Sequence, residues 1–251
     1  MFTTSSDGLR IAYERQGNGP ALLLLQGFEA TRQIWHKLGY VEHLSQEFMV
    51  ITMDRRGIGE SDMPTDPAAY RVERVLGDVE AVLQACEIER YAVWGRSFGG
   101  STALQLATRS SKVERAVIAG SFFGRVYPQE RIDEIVNWLE SYLEAKANGK
   151  LAELGVDAEE DAYLSQMNLP AQIACWRALV HWPIAHPQNI HCPMLLYVGE
   201  ADKRIAAPLE ERRQEIEQVG IQLRFFENLD HEQEITAREV LLEPVLAFLH
   251  G

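Results

Sequence analysis

The chain has 251 residues, room for one large α/β domain or two small ones, and its 46% apolar content supports a sizeable core. A formal net charge of −13 argues against a nucleic-acid backbone as partner and disfavours anionic membranes. Three cysteines (Cys86, Cys175, Cys192) without Cys-x-x-Cys spacing point to neither a disulfide framework nor a metal site. The polar start Met1–Ser6 is no secretory signal, and no apolar run approaches the ~20 residues needed to span a bilayer, so the expected setting is cytoplasmic.

Asp7-Gly8 is a hairpin signal, so 2–5 and 9–15 are predicted to pair antiparallel at a sheet edge. Ala21–Leu25 is a continuous apolar run ended by Gln26-Gly27, the pattern of a strand buried on both faces. A helix over 34–44 and a strand over 48–53 follow, then the glycine-rich turn 54–62. Val72, Val75, Leu76, Val79, Val82 and Leu83 recur at helical spacing and predict a helix over 70–86. Tyr91–Trp94 reads as a buried strand, 101–109 as a helix and Val113–Ala119 as the next strand. From 122 to 186 no strand signal occurs. Three helices are expected there, one carrying Ile132, Ile135, Val136, Leu139 and Tyr142, one over 159–167 and one opening at Pro170. This stretch holds five basic and ten acidic residues. Strands at 193–198 and 221–226, with helices over 209–219 and 235–249, complete the chain. The alternation predicts a mostly parallel sheet covered on both faces, with sites beyond the carboxyl ends of its strands.

Between the strand ending at Trp94 and the helix after it lies Gly95-Arg96-Ser97-Phe98-Gly99-Gly100. Strand, Gly-x-Ser-x-Gly, helix is the context of a nucleophile elbow. A serine at the tip of so sharp a turn crowds its neighbours, so the positions two before and two after it must be nearly free of side chain. A serine hydroxyl becomes a useful nucleophile only when a base takes its proton. The base is most often histidine held by a carboxylate. After later strands stand Asp202, in Gly199-Glu200-Ala201-Asp202, and His231, in Leu229-Asp230-His231-Glu232. Ser97, Asp202 and His231 then form the candidate catalytic set, with Glu200 as the competing acid.

With these residues in place, the sequence resembles the α/β-hydrolase superfamily, in the branch with a helical cap after the sixth strand. The elbow, the turn Asp54–Asp62, Gly199–Asp202 and His231 carry the resemblance in order and spacing. It implies an approximately eight-stranded, mostly parallel sheet. The core would be split into 1–121 and 187–251 around a cap at 122–186. It implies that Ser97 attacks a carbonyl carbon, His231 transfers the proton and Asp202 steadies the imidazolium. The backbone N–H groups of Phe28 and Phe98 would form the oxyanion hole. No cofactor or metal is implied.

Two positions depart from the family pattern. Gln26 stands where many relatives have histidine, either bracing the oxyanion loop or touching substrate. Arg96 precedes the nucleophile where histidine is common, either pairing with a nearby acid or binding a substrate carboxylate. Phe122, Tyr127, Trp176 and Trp182 join Gln26 and Arg96 as candidate pocket residues. His181, His186 and His191 are expected to be loop residues without metal. Asp54 is expected to pin its own turn and the Arg55 or Arg56 side chain. The expected activity is a carboxylesterase-like serine hydrolase of a small, largely apolar ester, lactone or related acyl compound. Carbon–carbon hydrolysis of a keto acid, or a ligand receptor without turnover, are the alternatives. A small acyl substrate is the expected partner, with no nucleic acid or membrane, and a monomer or homodimer is expected.

Overall fold

The computed structural model describes every residue except 126. Its eight strands are β1 (Phe2–Thr4), β2 (Arg10–Gln16), β3 (Ala21–Leu25), β4 (Met49–Met53), β5 (Tyr91–Arg96), β6 (Val113–Ala119), β7 (Met194–Gly199) and β8 (Gln222–Phe226). They form one sheet in the order β1-β2-β4-β3-β5-β6-β7-β8. β1–β2 and β2–β4 pair antiparallel; every other pairing is parallel. The helices are α1 (Gln33–Lys37), α2 (Tyr40–Leu44), α3 (Val72–Ala85), α4 (Phe98–Arg109), α5 (Gln129–Ala147), α6 (Ala158–Leu164), α7 (Leu169–Leu179), α8 (Lys203–Glu211), α9 (Arg213–Gln218), α10 (Gln233–Thr236) and α11 (Arg238–His250).

Alternation along the strands divides the core. Leu23, Leu25, Ile51, Val93, Ile118, Leu196 and Val198 pack with α3, α4, α8 and α9 on one face. Leu22, Leu24, Val50, Trp94, Val117, Leu195 and Tyr197 pack with α1, α2 and α11 on the other. Both faces of the parallel strands are therefore apolar, which is why 21–25 shows no polar alternation. Between β6 and β7 the described residues carry helices and no strand. That stretch has a cluster of its own, with Ile132, Val136, Leu139 and Tyr142 of α5 against Leu164, Ile173 and Trp176.

The chain leaves β3 towards β4 on one side and continues from β5 to β6 on the other. The order thus reverses between β3 and β5, and a crevice opens where their carboxyl ends diverge. Gln26-Gly27-Phe28 and Ser97 emerge at that point.

Three predicted helices are divided. The helix expected over 34–44 breaks at Gly39, which sits at φ 73°. The one expected over 235–249 breaks at Ala237. The two breaks face each other: Tyr40 Oη donates to the Ile235 carbonyl at 2.8 Å, and Arg238 Nη1 donates to the Gly39 carbonyl at 3.3 Å. Helical periodicity continues across both sites, so only this long-range contact fixes the bends. The helix expected over 209–219 starts earlier, at Lys203, and divides at Arg212. The Arg212 side chain reaches Glu215 and the Phe123 carbonyl.

Candidate active site

The elbow is built from strand, turn and helix. Ser97 directly follows β5, at the N-cap of α4, and sits at φ 56°, ψ −116°, a backbone conformation costly for a side-chain-bearing residue. Its N–H donates to the Ala119 carbonyl of β6 at 2.8 Å, and its carbonyl accepts from Ser101 N at 2.9 Å. The flanking glycines have a steric cause. A methyl at Gly95 would run into the Gly99 carbonyl, and one at Gly99 would run into the Leu25 carbonyl. The Gly99 N–H in turn donates to the Gln26 carbonyl at 3.1 Å, tying the elbow to the loop after β3.

Ser97, His231 and Asp202 lie 134 and 29 residues apart in sequence but meet beyond the strand ends. Ser97 Oγ is 3.0 Å from His231 Nε2, and His231 Nδ1 is 2.7 Å from Asp202 Oδ2. Asp202 occupies the N-cap position of α8 and is buried. Glu200 is exposed and contributes only its backbone N–H, to the Phe226 carbonyl. Asp230 is exposed too; its Oδ1 accepts from Glu232 N and Gln233 N, closing the turn that presents His231.

A fourth group, which the sequence reading did not single out, joins them. Glu234 is fully buried, and its Oε2 lies 2.9 Å from the same His231 Nδ1. Its Oε1 accepts from Gly199 N at 3.0 Å. The signal was present in the sequence: residues three apart on a helical turn share a face. Gly120, at φ 56°, makes the room, because a methyl there would meet the Glu234 carboxylate. The ring Nδ1 thus lies within 3 Å of two carboxylate oxygens without aligning its N–H on either. Burial opposes charge on His231, but the Asp202 and Glu234 carboxylates beside Nδ1 outweigh it and raise the imidazole above its ordinary range. Burial likewise pushes the Asp202 carboxyl up, while the His231 contact and Arg204 bring the net value below the ordinary range. Asp202, His231 and Glu234 could also converge on a cation, but the pairing above accounts for them without one.

Arg96 meets no carboxylate at ion-pair distance among the described residues. Its Nη2 donates to the His231 carbonyl, so it braces the histidine loop through the backbone rather than through an acid. Burial lowers its guanidinium below the usual range, with Glu234 acting against that. Gln26 is buried, donates from Nε2 to the Met53 carbonyl at 2.9 Å, and lines only a small cavity of about 20 Å³ that does not include Ser97. It therefore stands behind the loop and outside the cavities at the nucleophile, contrary to its assignment as a pocket residue. Phe122 packs on the main core and lines neither of those cavities, because the chain after β6 turns its ring inward. Asp54 pins its turn as expected, accepting from Glu60 N at 3.0 Å, but its cation partner is Arg32, not Arg55 or Arg56. Arg55 instead lies over the Phe28 and Phe98 rings and donates to the Phe28 carbonyl at 2.6 Å.

Two cavities share Ser97 and Tyr127. One, of about 70 Å³, is bounded chiefly by Phe98, Leu179, Trp182, Pro183 and Ile184. The other, of about 600 Å³, includes Phe28, Arg96, Trp176, His231, Glu29 and Tyr163. Tyr163 Oη donates to Glu29 at 2.6 Å, linking α6 to the loop after β3. Among the described residues, the backbone N–H groups of Phe28 and Phe98 meet no acceptor.

The sequence model of the alpha/beta hydrolase fold family matches residues 20–158, more than half of the chain. The chain belongs to the alpha/beta hydrolase fold family. An uncharacterized protein of Mycobacterium tuberculosis is 34% identical to this alpha/beta hydrolase over 115 residues, 45% of this chain and 33% of the relative. Epoxide hydrolase 2 of Siraitia grosvenorii is 29% identical over 128 residues, 50% of this chain and 40% of the relative. The chain thus spans well under half the length of these curated relatives. The enol-lactonase of Burkholderia xenovorans LB400 superposes over 100% of both chains with a TM-score of 0.78 at 21% identity, a likeness of fold. No helix among the described residues is long and apolar enough to cross a membrane.

Proposed function

We propose that this alpha/beta hydrolase is a serine hydrolase of small, largely apolar esters or lactones, acting through an acyl-enzyme. The observation that carries the reading is the 3.0 Å approach of Ser97 Oγ to His231 Nε2, with Asp202 behind the ring. In the proposed cycle Ser97 Oγ attacks the substrate carbonyl carbon as His231 Nε2 takes its proton. The Phe28 and Phe98 N–H groups receive the oxyanion, each such donor being worth ~3 kcal/mol in the transition state. Collapse expels the alcohol, which takes the proton back from His231. Water then attacks the acyl-enzyme through the same histidine and frees the acid. The helical stretch 122–186 acts as a cap, with Tyr127, Trp176 and Trp182 walling the two cavities.

The smaller cavity, about 70 Å³ and mostly apolar, suits a short acyl chain. The wider one suits the alcohol portion, or the body of a lactone. Epoxide opening on this fold uses a carboxylate nucleophile, and Ser97 supplies a hydroxyl instead. A fluorophosphonate probe is expected to label wild type and not Ser97→Ala. Wild type should turn over p-nitrophenyl acetate and butyrate faster than the octanoate. Absence of both labelling and turnover in the folded protein overturns the reading.

A further inference from the structure

A triad needs one acid behind its histidine, and here two are in place. Glu234 is as close to His231 Nδ1 as a hydrogen bond requires, at 2.9 Å against 2.7 Å for Asp202. It is fully buried, and the Gly199 N–H fixes its other oxygen at 3.0 Å, so its reach towards the ring is set by the backbone of β7. Its Oε2, like the His231 Nδ1 and the Asp202 Oδ2 it faces, has no aligned hydrogen-bond partner among the described residues. A buried carboxylate oxygen without a donor is costly, and the Nδ1–H 2.9 Å away is the donor within reach of it after a small rotation of the ring. Gly120 leaves the space its carboxylate fills. The charged groups around the ring are Asp202 and Glu234 at Nδ1, Arg204 3.7 Å from Asp202, and Arg96 on the His231 carbonyl.

We propose that Glu234 is a second acid of the catalytic set, a positioning residue that shares the Nδ1 proton with Asp202. The inference rests on the serine-hydrolase reading. Its physical consequence is redundancy. In a triad with a single acid, replacing that acid by its amide leaves the imidazole in the wrong tautomer and costs about 10⁴-fold in kcat. In this protein Glu234 still accepts from Nδ1–H when residue 202 is neutral, so the productive tautomer survives.

The test compares Asp202→Asn, Glu234→Gln and the double variant on p-nitrophenyl acetate, with pH profiles of kcat/KM. Asp202→Asn is expected to lose only about 10- to 100-fold, and the double variant about 10⁴-fold. Glu234→Gln keeps an acceptor for Gly199 N–H, and its acid limb should move down by ~1 pH unit, because an opposite charge has been removed from the ring. Glu234→Asp should restore part of that difference. Asp202→Asn as inactive as the double variant, or an unmoved acid limb in Glu234→Gln, overturns the proposal. If Glu234→Gln does not fold, the size of the Asp202→Asn loss alone decides. Histidine ¹⁵N NMR separates this outcome from failure of the hydrolase reading. The His231 pKa should still fall by ~1 in Glu234→Gln even if no ester is turned over, and an unchanged value counts against Glu234 alone.

Discussion

Arg56, after β4, and His231, after β8, each lie between two carboxylates, yet the two clusters do opposite things. Arg56 is fully buried and grips Asp78 through Nε and Nη2 at 2.7 and 2.6 Å, and Asp7 through Nη1 at 2.8 Å. Its remaining hydrogen-bonding capacity goes to the Ala69 and Arg74 carbonyls. Burial opposes its charge, but its hydrogen bonds to Asp78 and Asp7 outweigh that and hold Arg56 protonated. His231 borders the larger cavity, and its Nδ1 and the oxygens facing it are incompletely aligned. A saturated ion cluster fixes the β1–β2 turn to α3. A titrating ring with its second nitrogen on a hydroxyl is equipped to move a proton. Full satisfaction favours structure; a group left one partner short, facing space, favours chemistry.

The contrast is broken most severely at the nucleophile. Ser97→Ala is expected to lower kcat by on the order of 10⁵-fold, about 7 kcal/mol, on p-nitrophenyl acetate. Its unfolding free energy in urea should change by under ~1 kcal/mol, since alanine keeps the same backbone conformation. Asp78→Ala should do the reverse. Leaving Arg56 buried beside an empty place costs about 3–5 kcal/mol in urea unfolding, while kcat of the folded fraction holds. A variant of either cluster that moved both readouts equally would dissolve the distinction.

Gly120→Ala sharpens it, because that glycine belongs to the backbone yet adjoins the charged site. The residue has φ 56°, and the added methyl meets the Glu234 carboxylate. The expected cost is ~2 kcal/mol in stability, with kcat reduced at least about 10-fold by displacement of the imidazole.

pH separates the clusters at smaller cost. In the proposed mechanism turnover requires neutral His231, and its raised pKa is expected to place the acid limb of kcat/KM above the ordinary imidazole value of about 6.5. The same shift stabilises the fold below the unfolded value and is lost as pH rises through the folded one. Between neutrality and pH 6 activity should therefore fall while the His231 contribution to stability grows. Asp7 is shifted the other way: burial pushes it up, but Arg56 brings it net below its ordinary value. Its contribution holds above about pH 4 and disappears as pH falls through the lowered value. A thermal melt series across pH 3–8 checks both signs.

The smallest expected effect is at the cavity of about 70 Å³. Ile184 is 43% exposed and borders that space, so Ile184→Ala should lengthen the preferred acyl chain. A change of roughly 10-fold in the octanoate-to-acetate ratio is expected, the low end of what one methylene in a pocket is worth, because the side chain is partly exposed.

What the amino-acid order determined by itself was local. Ala21–Leu25 falls at the bounds its apolar run predicts, because a strand covered on both faces has no polar position to blur it, and Val113–Ala119 is found as expected although Glu114 and Arg115 interrupt its apolar residues. The elbow was legible because its Gly-x-Ser-x-Gly pattern sits between a strand and a helix, with Gly95 required by the Gly99 carbonyl only four residues on, and Asp202 and His231 because each follows a strand. What only the tertiary structure decided was which groups meet across the sheet. Glu234 at the imidazole, Gly120 opposite it, Arg32 rather than Arg55 on Asp54, and the paired bends at Gly39 and Ala237 all depend on contacts between distant segments. Periodicity records which face of an element is apolar. It does not record what a buried carboxylate faces, because that distance is fixed by how the sheet and its helices pack together.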